Sequence, residues 1–98
     1  MKPAKSTCPI TKVALILSDT WTMLIVHHLN EGPKRFCELE RALDGISTRT
    51  LTLKLTTLSC EKLVMKDAEG YYSTTERGRG LKIVENAMRR YDEKYLAH

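Results

Sequence analysis

The chain has no apolar run long enough to cross a bilayer. The longest, such as Val13 to Leu17, falls far short of the roughly 20 residues that a spanning helix needs. Met1 to Thr7 is polar and basic and lacks the apolar core of a secretory leader, so a cytoplasmic protein with a flexible arm at residues 1–7 and no membrane partner is expected. Cysteine is scarce. Cys8, Cys37 and Cys60 are odd in number, form no Cys-x-x-Cys pair and show no metal-ligand spacing, which argues against a disulfide framework or a zinc site and for reduced thiols. A glycine-rich phosphate loop, a metal cluster and a nucleophile-elbow sequence are also missing, so the reading is of binding rather than catalysis, with no cofactor and no metal. No composition shift marks a linker and no repeat is visible. The 98 residues therefore read as one domain, 1–98, with a small core that a partner subunit would help to stabilise.

The most informative absence is of acid between Gly45 and Cys60, GISTRTLTLKLTTLSC. Leu51, Leu55 and Leu58 recur at i, i+4 and i+7, which predicts a helix with one buried face. Near the other face lie Arg49, Thr50, Leu53, Thr56 and Thr57, with Lys54 to one side: hydroxyls and cations suited to base edges and phosphates. Ser47 is a good N-cap. Thr50, not a glutamate, stands three residues on, so the positive end of the helix dipole is expected to stay open to a DNA phosphate, with Thr48 beside it. Taken alone, the segment favours DNA binding only slightly over an ordinary core helix whose threonine side meets water.

Its neighbours sharpen that reading. Phe36, Leu39 and Leu43 form a helical stripe within Arg35–Leu43, and Asp44-Gly45 breaks it before Ser47, giving two short helices joined by a tight turn. Downstream, Leu63 to Lys66 and Tyr71 to Thr74 flank Asp67-Ala68-Glu69-Gly70, a hairpin pattern. A helix-turn-helix followed at once by a hairpin is the winged-helix order, in which the second helix usually enters the major groove.

Two helices precede the motif. Pro9 opens one that runs to about Ser18, with Ile10, Val13, Ala14 and Leu17 on a shared face. The second starts after Asp19 or Thr20 and stops near Gly32-Pro33. It carries Trp21, Leu24, Ile25, His28 and Leu29 on one side and Met23 and Val26 elsewhere, so it is expected to be central. His27 and His28 point to different faces and are assigned packing and capping roles. After Thr75, a plausible N-cap, one helix is predicted almost to His98, with Leu81, Val84, Met88, Tyr91 and Tyr95 as an apolar seam. The expected architecture is mainly α with a small β-hairpin: a winged helix-turn-helix with extra N- and C-terminal dimerisation helices. The 75–98 helix and Ile10, Val13 and Leu17 of the first helix would cross between subunits. A two-fold dimer would set two recognition helices about 34 Å apart, matching a near-palindromic site.

The chain resembles the HxlR-type regulators, winged-helix relatives of the MarR group. The resemblance runs through Cys8-Pro9-Ile10, Trp21 to Ile25, Gly32 to Phe36, Gly45 to Thr52, Leu63-Val64 and Tyr72 to Gly78, and so covers nearly the whole chain. It implies a small dimeric bacterial or archaeal transcription regulator that binds operator DNA. Three positions depart from the family pattern. Leu53 stands where similar proteins usually carry a cation, so an apolar side chain would face the bases. Lys62 stands where glycine commonly ends the recognition helix, so a different helix exit is expected. The wing is short and holds Lys66 alone as a cation, with Asp67 and Glu69 nearby, where related proteins tend to have a longer basic loop.

The formal charge of +4 is mild, and its location matters more than its size. Lys34 and Arg35, Arg49 and Lys54, and Lys66, Arg77 and Arg79 are the expected phosphate-facing rim; scattered solvated charge is the alternative. Ser47, Thr48, Thr50, Leu53 and Thr57 complete the expected DNA-binding set. Cys8, at a predicted helix N-terminus where a thiol's pKa is lowered, matches the place at which similar regulators can sense oxidants or electrophiles. A cysteine that simply packs at a dimer interface is the equal alternative. The leading function is a homodimeric repressor on double-stranded DNA. A protein-docking winged helix, or a regulator whose dimer interface holds a small-molecule effector, remains open beside it.

Overall fold

The computed structural model describes residues 7–97; the arm expected at 1–7 lies, apart from Thr7, outside the described residues. The elements are α1 (Pro9–Ile16), α2 (Thr20–Asn30), β1 (Lys34–Arg35), α3 (Phe36–Ala42), α4 (Thr48–Cys60), β2 (Val64–Lys66), β3 (Tyr71–Thr74), α5 (Glu76–Arg79) and α6 (Lys82–Tyr91), then a π-helical turn at Asp92–Leu96. Among the described residues no single helix is long and apolar enough to cross a membrane.

Local chemistry sets the helix starts. Pro9 occupies the first turn of α1, where a missing N–H costs nothing. Asp19 caps α2 by accepting the Thr22 N–H at 2.8 Å, and Ser47 caps α4 by accepting the Thr50 N–H at 3.0 Å. Thr75 caps α5 through the Gly78 N–H. The central helix is α2, which packs against α3, α4, α5, α6 and β3. Its buried face is Thr22, Ile25, Val26 and Leu29, one step round from the predicted stripe; Trp21 and Leu24 flank the core half-buried. Leu39 and Leu43 of the α3 region and Leu51, Leu55 and Leu58 of α4 close the core from the other side, as the stripes require.

Three expectations change. The hairpin is a three-stranded antiparallel sheet in the order β1-β3-β2, because Lys34 and Arg35 pair with Tyr72 and Tyr71. Two residues are too few to show a strand period, so the sequence pattern missed β1. The expected unbroken helix over 75–98 is interrupted between α5 and α6 and ends in a π-helical turn. The break lets Leu81, 8% exposed, join the core. The third change is at Lys62. Its φ is +61°, so the helix exit keeps the left-handed geometry that glycine would supply. Leu63 N–H donates to Leu58 O at 2.9 Å and Lys62 N–H to Ser59 O at 3.1 Å, the paired bonds of a Schellman motif, and Leu58 and Leu63 are both buried over it.

Candidate nucleic-acid interface

Burial of Leu51, Leu55 and Leu58 fixes how α4 is turned. At 100° per residue the opposite stripe is Arg49, Leu53, Thr56, Thr57 and Cys60, and all five are exposed. No acidic residue interrupts it. Leu53 is 58% exposed, a large apolar side chain offered to the outside. The threonine hydroxyls bond along their own helix: Thr52 to Thr48 O at 2.8 Å, Thr56 to Thr52 O at 2.9 Å and Thr57 to Leu53 O at 3.0 Å. Among the described residues Arg49 makes no ion pair.

The N-terminus of α4 is less open than its own sequence suggests. The Thr48 hydroxyl donates to the Glu40 carboxylate of α3, so a neighbouring helix supplies the acid that α4 lacks. Ser47 Oγ donates to Thr50 Oγ1 at 2.9 Å while accepting the Thr50 N–H, which engages both hydroxyls in the cap. Lys54, expected on the phosphate rim, turns instead to Asp19, with Nζ 2.6 Å from Oδ2. Partial burial alone would raise the Asp19 carboxyl; the Lys54 hydrogen bond, with those from Thr22, outweighs it and holds the group below its ordinary value.

The rest of the basic rim divides. In the sheet register Tyr72 faces Lys34 on one side and Lys66 on the other, and the Lys66 ammonium lies 5.4 Å from the Tyr72 ring centre. The Arg35 guanidinium stacks 4.4 Å over Tyr71. Arg79 donates Nη1 to Thr74 O at 2.8 Å and so braces the end of β3. Arg77 remains exposed. Asp67 closes the wing tip by accepting the N–H groups of Glu69 and Tyr71, each at 2.9 Å, so its carboxylate is engaged inside the turn.

Cys8 is the exposed N-cap residue of α1. The Thr11 N–H, then the Thr11 hydroxyl and the Ile10 N–H, hold its thiol below the ordinary value, as a helix N-terminus should. Cys60 shares a cleft of about 470 Å³ with Leu15, Ile16, Glu61, Lys62 and Arg77. Of the residues expected at a dimer interface, Ile10, Val13, Met88, Tyr91 and Tyr95 are exposed, Leu17 and Val84 pack half-buried on the core, and Leu81 belongs to that core.

One polar cluster escaped the sequence reading. Glu85 of α6 is buried and meets His27 Nδ1 at 2.6 Å and Asn30 Nδ2 at 2.9 Å. Its position was the available signal, because Glu85 lies four residues after Leu81 and three before Met88, on the apolar stripe. Among the described residues no group of three His, Cys, Asp or Glu side chains is placed to hold a metal ion.

A helix-turn-helix whose second helix shows an exposed, acid-free face, followed by a β2–β3 hairpin that β1 extends to a three-stranded sheet, defines a winged-helix regulator. The chain belongs to the HxlR-like helix-turn-helix family, whose model matches residues 16–98, and it is a transcriptional regulator of that type. It is 35% identical over 95 residues to an HTH-type transcriptional regulator of Synechocystis, covering 91% of this chain and 70% of that protein. The quinone-bound structure of YodB from Bacillus subtilis is similar at a TM-score of 0.82 and 30% identity, over 91% of this chain and 100% of that one. YodB has also been solved after diamide treatment. A MarR-family protein from Porphyromonas gingivalis is similar at a TM-score of 0.84 and 28% identity, over 98% of this chain and 100% of that one.

Proposed function

We propose that residues 1–98 act as one unit, a cytoplasmic homodimeric repressor that binds near-palindromic operator DNA by laying the outward stripe of α4 in the major groove. The observation that carries this is the exposed, acid-free stripe from Arg49 to Cys60, turned outward by three buried leucines. Arg49, with Lys34, Arg35, Lys66 and Arg77 around it, supplies phosphate and base-edge donors; Ser47, Thr48 and Thr50 shape the N-terminal end. The dimer rests on the exposed Ile10 and Val13 of α1 and on Met88, Tyr91 and Tyr95 near the C-terminus. Leu81 drops out of that interface because its side chain is already buried in its own protomer.

Fluorescence anisotropy of the reduced protein against DNA from upstream of its own gene, titrated at several salt concentrations beside an unrelated duplex, tests the reading. Competitor-resistant binding with a log–log salt slope of about −0.9 per phosphate contacted is expected. Binding no tighter than the unrelated duplex, across genomic fragments, would replace it with a protein-docking role.

Thiol control through Cys8 is favoured by its lowered thiol pKa and exposure, and by the similarity to YodB, which has been solved with quinone bound. Treatment with diamide or a quinone should modify Cys8 and change DNA affinity, and a Cys8→Ser protein should not respond.

A further inference from the structure

The hydrogen-bond state of α4 says which base edges its outward face can read. A hydroxyl whose hydrogen is committed to a backbone carbonyl can accept a further hydrogen bond but not donate one. Thr52, Thr56 and Thr57 are all in that state. Lys54, the other cation of the helix, is held by Asp19. Arg49 is therefore the strong donor of the outward stripe, and one turn further along it stands Leu53, 58% exposed and apolar. A donor-poor face with an apolar centre is a poor match for the acceptor-rich edge of a run of guanines. It suits a thymine, whose C5-methyl projects into the major groove, and the exocyclic amines of adenine and cytosine, which need acceptors.

We infer that this helix specifies its site through a thymine methyl packed against Leu53, next to a single guanine held by Arg49, with the threonine oxygens accepting from neighbouring adenine or cytosine amines. The inference rests on the operator-binding reading above and adds the class of sequence that would be bound. Arg49 and Leu53 are four residues apart, about 6 Å along the helix, which corresponds to roughly two steps of 3.4 Å along a DNA strand. The critical thymine should fall within about two base pairs of the guanine.

The test begins with selection of binding duplexes from a random pool by the reduced protein. Each thymine of the selected half-site is then replaced by deoxyuridine, which removes the methyl group and nothing else, and affinities are read by anisotropy. At one thymine per half-site the replacement should weaken binding about fourfold, equivalent to about 0.8 kcal/mol for one buried methyl-sized group. Leu53→Ala, at an exposed position that leaves the core untouched, should bind the thymine and uridine duplexes equally. A Leu53→Lys protein should lose the same discrimination and steepen the salt slope by up to about 0.9. Uniform tolerance of deoxyuridine, or a uridine penalty that survives in Leu53→Ala, would overturn the assignment while leaving operator binding intact. Failure of the pool to enrich any duplex would overturn both, and so separates the two readings.

Discussion

Lys54 Nζ stands 2.6 Å from Asp19 Oδ2, so a cation of the second motif helix is tied to the residue that caps α2. The pair couples the junction between α1 and α2 to the orientation of α4. Because both side chains are about one-third exposed, solvent screening limits its worth to about 1 kcal/mol or less.

A phosphate contact and an internal strut differ in their salt dependence. Lys54→Met should weaken DNA binding without changing the salt slope, whereas loss of a true phosphate contact would flatten it by about 0.9. Asp19→Asn keeps an N-cap acceptor for Thr22 but frees the ammonium, and should steepen the slope instead. Anisotropy titrations of both variants between low and moderate salt decide between these outcomes.

Lys62 carries a side chain in the left-handed region, φ +61°, at the end of α4. Lys62→Gly should relieve that conformation and stabilise the protein by about 1 kcal/mol, less the entropy that glycine adds to the unfolded chain. For a chain of this length a rise of several degrees in Tm is expected, with the Leu63–Leu58 backbone bond retained. A lower Tm would mean that the lysine side chain contributes a contact outweighing the backbone cost.

Gly78 permits the opposite experiment. A Cβ placed on it would lie 2.2 Å from the Leu63 carbonyl oxygen and 3.1 Å from Thr74 Cβ. Backbone cannot yield there cheaply, because Thr75 N–H already donates to that carbonyl at 3.1 Å. Gly78→Ala should cost about 3 kcal/mol in urea unfolding. A loss below about 1 kcal/mol would show that α5 can shift away from the α4–β2 connection.

Glu85 links α6 to α2 through His27 and Asn30. Burial alone would raise its carboxyl, but the hydrogen bonds from His27 and Asn30 and the charges of His27 and Arg89 outweigh burial and hold it below its ordinary value. A depressed folded-state pKa contributes stability that is fully present above the unfolded value, about 4.3 for glutamate, and is lost as pH falls through the folded value. The urea midpoint should therefore drop more steeply with acid in the native protein than in Glu85→Gln, beginning below about pH 4.3. Equal acid dependence in the two would remove Glu85 as a source of that stability.

Much of the fold was legible because its signals are local. Pro9, Asp19, Ser47 and Thr75 mark helix starts by chemistry that acts over three residues, and Leu51, Leu55 and Leu58 announce the buried face of α4 by period alone. The hairpin was legible from two β-rich runs around Gly70. What misled was continuity: the Leu81-to-Tyr95 rhythm predicts one helix, but period cannot say that Gly80 ends α5 and lets Leu81 turn into the core. Likewise Lys62 was expected to alter the helix exit, yet burial of Leu58 and Leu63 keeps the Schellman geometry despite the lysine.

The outward set of α4 was readable as positions but not as chemistry. Arg49, Leu53 and Thr57 follow from counting residues along a helix; whether their neighbours can donate depends on where each hydrogen goes. The sequence by itself determined the main helix starts, the helix-turn-helix followed by a hairpin, the buried face of α4 and its acid-free outward stripe, because caps and periods act within one turn. Only the tertiary structure decided that Lys54 answers to Asp19, 35 residues away, that Glu85 closes on His27 across 58, and that Glu40 meets Thr48. Those pairings depend on how separate helices are placed against each other, and helix placement follows from packing of the whole core, which no local period encodes.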